Sequence, residues 1–396
     1  MSRNIWKYYL FSFFTSLAFF GGVLIPFFTQ WGHINQFQIQ IIQAWFMFWI
    51  FALEVPTGAV ADYFGRKYSI ILGAIVSTFA ALLYGSFPDF KVFLLGEFLF
   101  AAAIALQSGA DEALIYDSLK ETGQTDLAKK VLGRARSFEL LAIGLAAPIG
   151  SFIAAKLDMN FPMLFSAIPF ILAALIAMTF KEIKTTGVSE SKRYLVIIKD
   201  GLKYLKNHPT LKILALDAIA VASSAYFVLW LYQRLLQQIG IAIIWFGLFH
   251  LLLTVTEILI SNNFHLMEKL VGSVKNYLKF SALLVGIGFI VAGIWQNLFT
   301  LGLLIILSGG FGLTRLTHIS AHLNKLIPSQ QRATILSSIS MFRRFFLVIL
   351  NPIVGLFVDK SLNLTLIGLG LIPAMVFLFS PIKESTLSES QADGVK

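Results

Sequence analysis

The sequence contains no cysteine, and only 13% of its 396 residues are charged. Without cysteine the chain can form neither disulfides nor thiolate metal sites. It also lacks a nucleophile elbow, a phosphate-cradling glycine loop and a cysteine metal knuckle. The sequence therefore gives no support to enzyme chemistry, and we expect no cofactor and no bound metal.

Hydrophobic residues make up 57% of the chain, and its mean hydropathy of +0.78 is far too high for a soluble protein of this length. About 20 apolar residues cross the hydrocarbon core of a bilayer, and about twelve such runs follow one another with short polar joints. We expect an all-α integral membrane protein. In chain order, the predicted spans 1 to 12 lie near 5–30, 36–61, 68–88, 91–118, 133–156, 162–181, 210–234, 242–267, 274–295, 298–323, 333–358 and 362–380.

The net charge of +10 would suit nucleic acid, but the basic residues follow the positive-inside rule if both termini are cytoplasmic. Only Lys91, Lys156, Arg234 and Lys360 are left for the opposite side. No short apolar core with a small-residue cleavage site follows Arg3, so we expect no removed signal peptide. We expect a monomeric, multi-pass protein of a bacterial inner or plasma membrane that binds no nucleic acid.

A change of composition near the middle of the chain indicates a linker, because Lys, Ser, Thr and Glu replace apolar residues between Lys181 and Pro209. From Tyr194 to Lys206, apolar and charged residues alternate at near-helical spacing. This pattern predicts an amphipathic helix on the membrane surface, with an irregular coil as the alternative. The predicted domains are an N-terminal six-helix bundle at 1–182, a cytoplasmic linker at 183–208, a C-terminal six-helix bundle at 209–384 and a cytoplasmic tail at 385–396.

The two halves resemble each other weakly. A shift of about 204 residues aligns Pro148 with Pro352, and nearly the same shift places Glu54 on Glu257. Duplicated halves are typical of secondary transporters, in which the binding site lies between the halves near the bilayer midplane. The internal similarity therefore favours transport.

The most distinctive motif lies between spans 2 and 3. It reads Gly58-Ala-Val-Ala-Asp62-Tyr-Phe-Gly65-Arg66-Lys67, and we expect a short loop in which Asp62 caps or pairs with a neighbouring helix end. The alternative to a functional motif is that Gly, Arg and Lys gather here as they do in any tight cytoplasmic hairpin. The segment closely resembles the loop G-x-L-A-D-x-x-G-R-K of the major facilitator superfamily, with Val60 in place of leucine.

This resemblance implies two pseudo-symmetric six-helix bundles and transport by alternating access. It also implies that Arg66 pairs with an acid at the cytoplasmic end of span 4, a place held here by Asp117. A pair that breaks and re-forms would gate the transporter. The pattern is nearest to the bacterial drug:proton antiporter-like branch. Many of those antiporters carry R-F-x-x-G in span 4, whereas this chain reads Glu97-Phe-Leu-Phe-Ala101, which puts their proton route in doubt.

Carboxylates inside the spans are functional candidates, because each costs about 2.5–3.5 kcal/mol to place in the membrane. We expect Glu54 and Glu257 to face a central cavity as a pair, with packing within each half as the alternative. In span 4, Asp111 shares a helix face with Glu97, and the adjacent Glu112 must point elsewhere.

Asp111 and Glu112 are also candidate proton carriers, because crowded acids in a low-dielectric site repel each other. The alternative is that they neutralise a base on Arg134, Arg136 or Arg315.

Span 10 carries Arg315, His318 and His322 at positions i, i+3 and i+7, so all three share a face. The histidines are candidates for a proton relay. Histidines four residues apart also suit a metal ion, but no third ligand is near in sequence, so we expect no metal. Polar packing without chemistry is the remaining alternative.

Glu139 in span 5 and Arg343 in span 11 occupy matching places in the two halves. They are predicted to meet as a gate or a substrate-facing ion pair. The alternative for Arg343 is contact with lipid phosphates.

The leading hypothesis is proton-coupled export of amphiphilic or drug-like compounds. Span 5 mildly favours export, because Gly144, Ala147-Pro148 and Gly150-Ser151 resemble a blurred form of the antiporter signature G-x-x-x-G-P-x-x-G-G, with Ile143 and Ala147 where glycines are expected. Close helix packing is the alternative explanation of those small residues. A carrier of one small metabolite, with an anion bound by Arg315 or Arg343, is the second hypothesis. A receptor or sensor without flux is the third.

Overall fold

The computed structural model describes residues 3–183, 203–327 and 329–382, and within these ranges all regular structure is helical. Twelve helical segments are long and apolar enough to cross a membrane, which confirms the predicted fold class. In order, spans 1 to 12 are Asn4–Trp31, Gln36–Glu54, Arg66–Ser86, Phe90–Glu121, Thr125–Lys156, Phe161–Met178, Pro209–Ile239, Ile243–Asn262, Val274–Ile294, Leu298–Asn324, Thr334–Lys360 and Leu362–Phe379. Most of the predicted linker, and the tail at 385–396, lie outside the described residues.

Half of the spans consist mainly of one long helix each, which in span 5 follows the short turn Thr125–Leu127. These helices are Gln36–Phe64, Arg66–Ser86, Ala128–Lys156, Val274–Ile294, Ser329–Lys360 and Leu362–Phe379. The other spans are interrupted. They consist of Arg3–Ser16 followed by the turns Gly21–Val23, Leu24–Pro26 and Phe27–Trp31; Phe90–Gln107 and Ala110–Glu121; Phe161–Phe165 and Ala167–Met178; Pro209–Tyr226 and Val228–Ile239; Ile243–Trp245 and Phe246–Asn262; and Leu298–Leu303, Leu304–Gly312 and Arg315–Leu326.

Short polar joints begin several helices. Asn35 accepts a hydrogen bond from the backbone N–H of Gln38 at 2.9 Å, and the Gln38 side chain accepts one from the N–H of Asn35 at 3.1 Å. Asp89 accepts from the N–H of Lys91 at 2.8 Å, and Ser273 accepts from the N–H of Asn276 at 3.1 Å. Each cap satisfies backbone donors that the first helical turn leaves without a partner. Such capped joints begin spans 2, 4 and 9.

Span 4 is broken at Ser108 and Gly109. Gly109 has a φ of +75°, a conformation that residues with a Cβ rarely adopt, and the second helix of the span begins immediately after it. The break corrects the prediction that Asp111 and Glu97 share one face of a continuous helix, because Gly109 ends the first helix and changes the chain direction between the two acids. Asp111 and Glu112 instead lie in the first turn of a new helix, where the dipole favours negative charge.

The described residues group into two compact units. One unit contains the chain up to 183 together with Ala242–Leu251, and its core includes Ile70, Ile115 and Ala173. The other contains 203–241 and 252–382, and its core includes Leu214, Tyr277, Ile319 and Ile335. The division into bundles at 1–182 and 209–384 stays a prediction.

Small residues allow close helix packing inside the first unit. A Cβ on Gly150 would lie 1.6 Å from the carbonyl oxygen of Phe19, and one on Gly247 would lie 2.2 Å from that of Ala147. Only glycine fits at such distances, and small residues at helix contacts are typical of membrane bundles. Gly150, which sequence analysis read as part of an export signature, therefore has a packing role.

Candidate functional site

The predicted loop between spans 2 and 3 is much shorter than its motif. The helix of span 2 continues through Gly58 and the exposed Asp62 to Phe64, and the next helix begins at Arg66. Gly65 alone makes the turn, with a φ of +104°. This corrects the prediction that Asp62 lies in a loop and caps a helix end, because its backbone is helical and its side chain faces outward.

A different acid caps span 3. The carboxylate of Glu182 accepts hydrogen bonds from the backbone N–H groups of Arg66, at 3.1 Å, and Lys67, at 2.7 Å. An anion at a helix N-terminus satisfies orphan donors and complements the dipole. A Cβ on Gly65 would lie 3.0 Å from the carboxyl carbon of Glu182, so glycine also makes room for this cap. Sequence reasoning missed Glu182 because it follows the predicted span 6 directly and lies 116 residues after Arg66.

Arg66 forms an ion pair with Asp117 of span 4, so the contact that the family resemblance implied is present. Two further contacts lie beside it. Asn4 donates to the hydroxyl of Ser118 at 2.9 Å, and Lys181 pairs with Glu121 at 2.7 Å. Spans 1, 3 and 4 and the end of span 6 are therefore joined by polar contacts at one end of the first unit. The gating role stays a prediction.

The acids Asp111, Glu112 and Glu139 of the first unit differ in their exposure and in their hydrogen-bond partners. Asp111 is half-buried, accepts a hydrogen bond from the hydroxyl of Tyr8 at 3.3 Å and accepts another from the N–H of Glu112 at 2.7 Å. Glu112 is exposed, as expected for the adjacent residue on a helix. Glu139 pairs with Arg136 of its own helix at 2.8 Å. Asp111 is thus the member of the group that lies among other helices.

Glu54 and Glu257 are both half-buried. Glu54 belongs to the first unit and Glu257 to the second. Their predicted pairing, and the predicted meeting of Glu139 with Arg343, stay predictions.

Arg315 has partners other than those predicted. It is only 1% exposed, and its Nε lies 2.9 Å from Oδ1 of Asp217, which Nη2 also contacts. Its Nη1 donates to the Leu278 carbonyl at 2.8 Å and to the Ser281 hydroxyl at 2.6 Å. These partners all belong to the second unit and enclose the guanidinium. The predicted binding of an anionic substrate by Arg315, and the alternative in which Arg315 neutralises the acids of span 4, stay predictions. Asp217 was missed, although an acid within the apolar run of span 7 was a visible signal.

His318 and His322 share an acid that sequence reasoning did not assign to them. Their Nε2 atoms lie 2.6 and 2.7 Å from the same oxygen, Oε1 of Glu268, on the short helix Phe264–Val271. The case against a metal site rested on the lack of a third ligand, and Glu268 supplies one. Burial raises the pKa of the Glu268 carboxyl, but hydrogen bonds and charge from the two histidines lower it by more, so its pKa lies below the usual 4.5.

Arg343 is half-buried in span 11, and its Nε is buried without a hydrogen-bond partner among the described residues. A buried donor without a partner costs about 1–3 kcal/mol. Arg343 thus differs from Arg315, whose three side-chain nitrogen atoms all have partners.

A cavity of about 190 Å³ lies within the first unit, between spans 1, 2, 3, 4 and 6. Aromatic rings dominate its wall, among them Phe46, Tyr84 and Phe100. Its acid is Glu97, which is 9% exposed and accepts a hydrogen bond from the amide of Gln43 at 3.0 Å. No basic residue is among the described residues that line the cavity. Glu97, which occupies the place of the arginine in the R-F-x-x-G motif of many antiporters, is thus buried among aromatic rings.

These features define a polytopic helical membrane protein with ionisable groups buried among its spans. A sequence model described as the Major Facilitator Superfamily matches residues 9–350, so the chain belongs to that superfamily. It is accordingly a transport protein and not an enzyme.

Solved structures of transporters share the fold. The nucleoside transporter NupG is similar with a TM-score of 0.78 at 13% identity, covering 95% of this chain and 98% of that one. A POT family transporter in complex with 5-aminolevulinic acid is similar with a TM-score of 0.75 at 13% identity, covering 96% of each chain. At these identities the likeness shows the fold alone.

Sequence similarity to a curated relative is local. The chain is 24% identical over 124 residues to D-xylose-proton symporter-like 3, chloroplastic, of Arabidopsis thaliana. The match covers 31% of this chain and 22% of that protein.

Proposed function

We propose that this transporter couples protons to the export of amphiphilic cations, which bind beside Glu97 in the aromatic cavity of the first unit. One observation carries the proposal: a carboxylate buried among aromatic rings has a neutral amide beside it, and none of the described residues that line the cavity is basic. Drug-like compounds with a cationic head are the substrate class that this chemistry selects.

The coupling follows from the cost of burying charge. An ionised carboxylate in an apolar site is expensive unless a positive charge neutralises it. Either a proton or a substrate cation can neutralise Glu97, and binding of one displaces the other. The rings of Phe46 and Phe100 add attraction for a cation, about 0.5–2 kcal/mol for each well-placed face. Exchange of a cation for a proton at one carboxylate is the elementary step of antiport.

The polar contacts at the end of the first unit supply a candidate gate. We assign Arg66 and Asp117 to an ion pair that breaks and re-forms during alternating access, with Glu182 fixing the start of span 3 beside it. Asp111 is assigned as a second proton-carrying acid in span 4. The working form is taken to be a monomer in a bacterial inner membrane, with both termini cytoplasmic.

Proton release by the purified protein tests the proposal. Benzyltrimethylammonium, which carries one ring and one charge, is added in weakly buffered detergent solution with a pH indicator. We expect wild-type protein to release protons on binding, Glu97→Gln to release none, and Asp126→Asn to behave as wild type because Asp126 is exposed and does not line the cavity. Equal release by wild type and Glu97→Gln would overturn the assignment of Glu97.

A carrier of one small anionic metabolite is the second candidate, and the unpartnered Nε of Arg343 favours it. A guanidinium binds carboxylate or phosphate through paired hydrogen bonds. In a panel of small organic acids, stabilisation against heat by a single acid, lost in Arg343→Gln and kept in Arg344→Gln, would support this candidate. If neither cations nor acids change stability or proton binding, a receptor or sensor without flux becomes the favoured hypothesis.

A further inference from the structure

Glu268, His318 and His322 form a cluster inside the second unit. Their three ligand atoms lie within 4.8 Å of one another, and the two histidines project from consecutive turns of the helix Arg315–Leu326. We propose that this cluster is a binding site for a divalent transition-metal ion of the Zn²⁺ kind, which ties the short helix Phe264–Val271 to span 10. The inference is independent of the transported substrate.

The donor set selects the class of ion. Two imidazole nitrogens and one carboxylate oxygen suit Zn²⁺, Co²⁺ and Ni²⁺, whereas Mg²⁺ and Ca²⁺ prefer oxygen ligands alone. Histidines at i and i+4 present their rings to the same side of a helix. Both offer Nε2 towards the same oxygen of Glu268. Two histidines with one glutamate leave a fourth position open for water or another ligand.

A small movement converts the present contacts into coordination. The Nε2 atoms lie 2.6 and 2.7 Å from Oε1 of Glu268, which are hydrogen-bond distances. Tetrahedral bonds of about 2.0–2.2 Å would set these spacings at about 3.3 Å. Glu268 can retreat by that difference because its side chain is 21% exposed on a short helix.

The site also has an entrance and a fixed base. His322 is 17% exposed, so an ion can approach from the side of His322 and Glu268, while His318 is 1% exposed. The buried ring of His318 is held by Phe264 and Tyr277, with ring centroids 4.7 and 4.4 Å from its own. One ligand is thus fixed in place before an ion arrives.

Two buried polar atoms beside the cluster have no hydrogen-bond partner among the described residues. They are Nδ1 of His318 and the hydroxyl of Tyr277. A histidine that binds a metal through Nε2 carries its proton on Nδ1, where an oxygen usually accepts it. Nδ1 of His318 is therefore a donor that remains available when Nε2 binds a metal ion.

The nearest basic side chain in the helix is Arg315, one turn before His318, and it forms an ion pair with Asp217. The anionic Glu268 is the charge that faces an arriving ion, and charge neutralisation within the site is therefore favourable.

Cobalt binding tests the proposal, because Co²⁺ in a four-coordinate protein site gives visible absorption bands that hydrated Co²⁺ lacks at comparable strength. Purified full-length protein is titrated with Co²⁺ and then with Zn²⁺ as competitor. We expect one Co²⁺ per chain, displaced by Zn²⁺. We expect His322→Ala and Glu268→Gln to weaken binding by at least about tenfold, which is the smallest loss seen even for outer partners of metal ligands.

His265→Ala is the matched control. His265 is exposed on the same short helix but lies outside the cluster, so this variant must keep wild-type binding. Circular dichroism of each variant separates loss of a ligand from loss of folding. The proposal is overturned if wild type gives no such bands, or if His322→Ala and Glu268→Gln bind Co²⁺ as tightly as wild type.

Discussion

Removal of the Asp217 carboxylate charge is predicted to lower the free energy of unfolding substantially. In Asp217→Asn the side chain keeps its shape, but the guanidinium of Arg315 remains 1% exposed with no compensating charge. The bonds to Leu278 and Ser281 persist, so the penalty comes from the unpaired charge. Breaking a buried pair in this way costs about 3–5 kcal/mol.

The double variant Asp217→Leu with Arg315→Met separates the charge penalty from the value of the pair. Replacing both ions by apolar groups of similar size is often neutral or stabilising by about 1–4 kcal/mol. We therefore expect the double variant to be much more stable than Asp217→Asn. A double-mutant cycle with both single replacements gives the interaction energy directly.

The assay is unfolding in mixed micelles of a mild detergent and sodium dodecyl sulfate, followed by circular dichroism. Glu121→Gln is the control, because it breaks the exposed pair with Lys181 and should cost only about 0–1 kcal/mol. A loss below about 1 kcal/mol for Asp217→Asn would refute the reasoning, because a buried and unpaired guanidinium could not be so cheap.

Three further predictions concern packing, capping and pH. Gly150→Ala should destabilise the protein by about 1–3 kcal/mol or more, because the new Cβ would clash with the Phe19 carbonyl. The control is Gly133→Ala in the same helix, whose Cβ meets nothing within 4 Å and should not destabilise the protein; thermal unfolding compares the two variants. Glu182→Gln should cost about 0.5–2 kcal/mol through the cap of span 3, and an unchanged midpoint would contradict that cap. The folded-state pKa of Glu268 lies below 4.5, so the ionised carboxylate stabilises the folded protein above pH 4.5 and this stabilisation is lost as pH falls through the folded pKa. The difference in unfolding free energy between wild type and Glu268→Gln should therefore shrink from pH 7 to pH 3.

Much of the fold is predictable because an apolar run long enough to span a bilayer has few stable structures other than a membrane-spanning helix. The twelve predicted spans differ from the observed ones mainly at their ends. The interruption of span 4 at Gly109 was not predicted. A single glycine in an apolar run is common, and its left-handed conformation is set by packing around it and not by local sequence.

The site was less predictable than the fold, because partners came from distant parts of the chain. Arg66 and Asp117 were connected only through the family resemblance. Asp217 lies 98 residues before Arg315, and Glu268 lies 50 residues before His318, so spacing gave no guide to either contact. Glu97 was noticed only as a departure from a motif, and its aromatic surroundings required the positions of five spans.

Flux through reconstituted vesicles tests the central claim most directly. Proteoliposomes carrying an imposed pH gradient are supplied with radiolabelled benzyltrimethylammonium, and accumulation is followed with wild type, Glu97→Gln and the control Asp126→Asn. We predict cation movement against the proton flow for wild type and Asp126→Asn, abolished when the gradient is collapsed and absent in Glu97→Gln. Gradient-driven accumulation by Glu97→Gln at the wild-type rate would contradict the account.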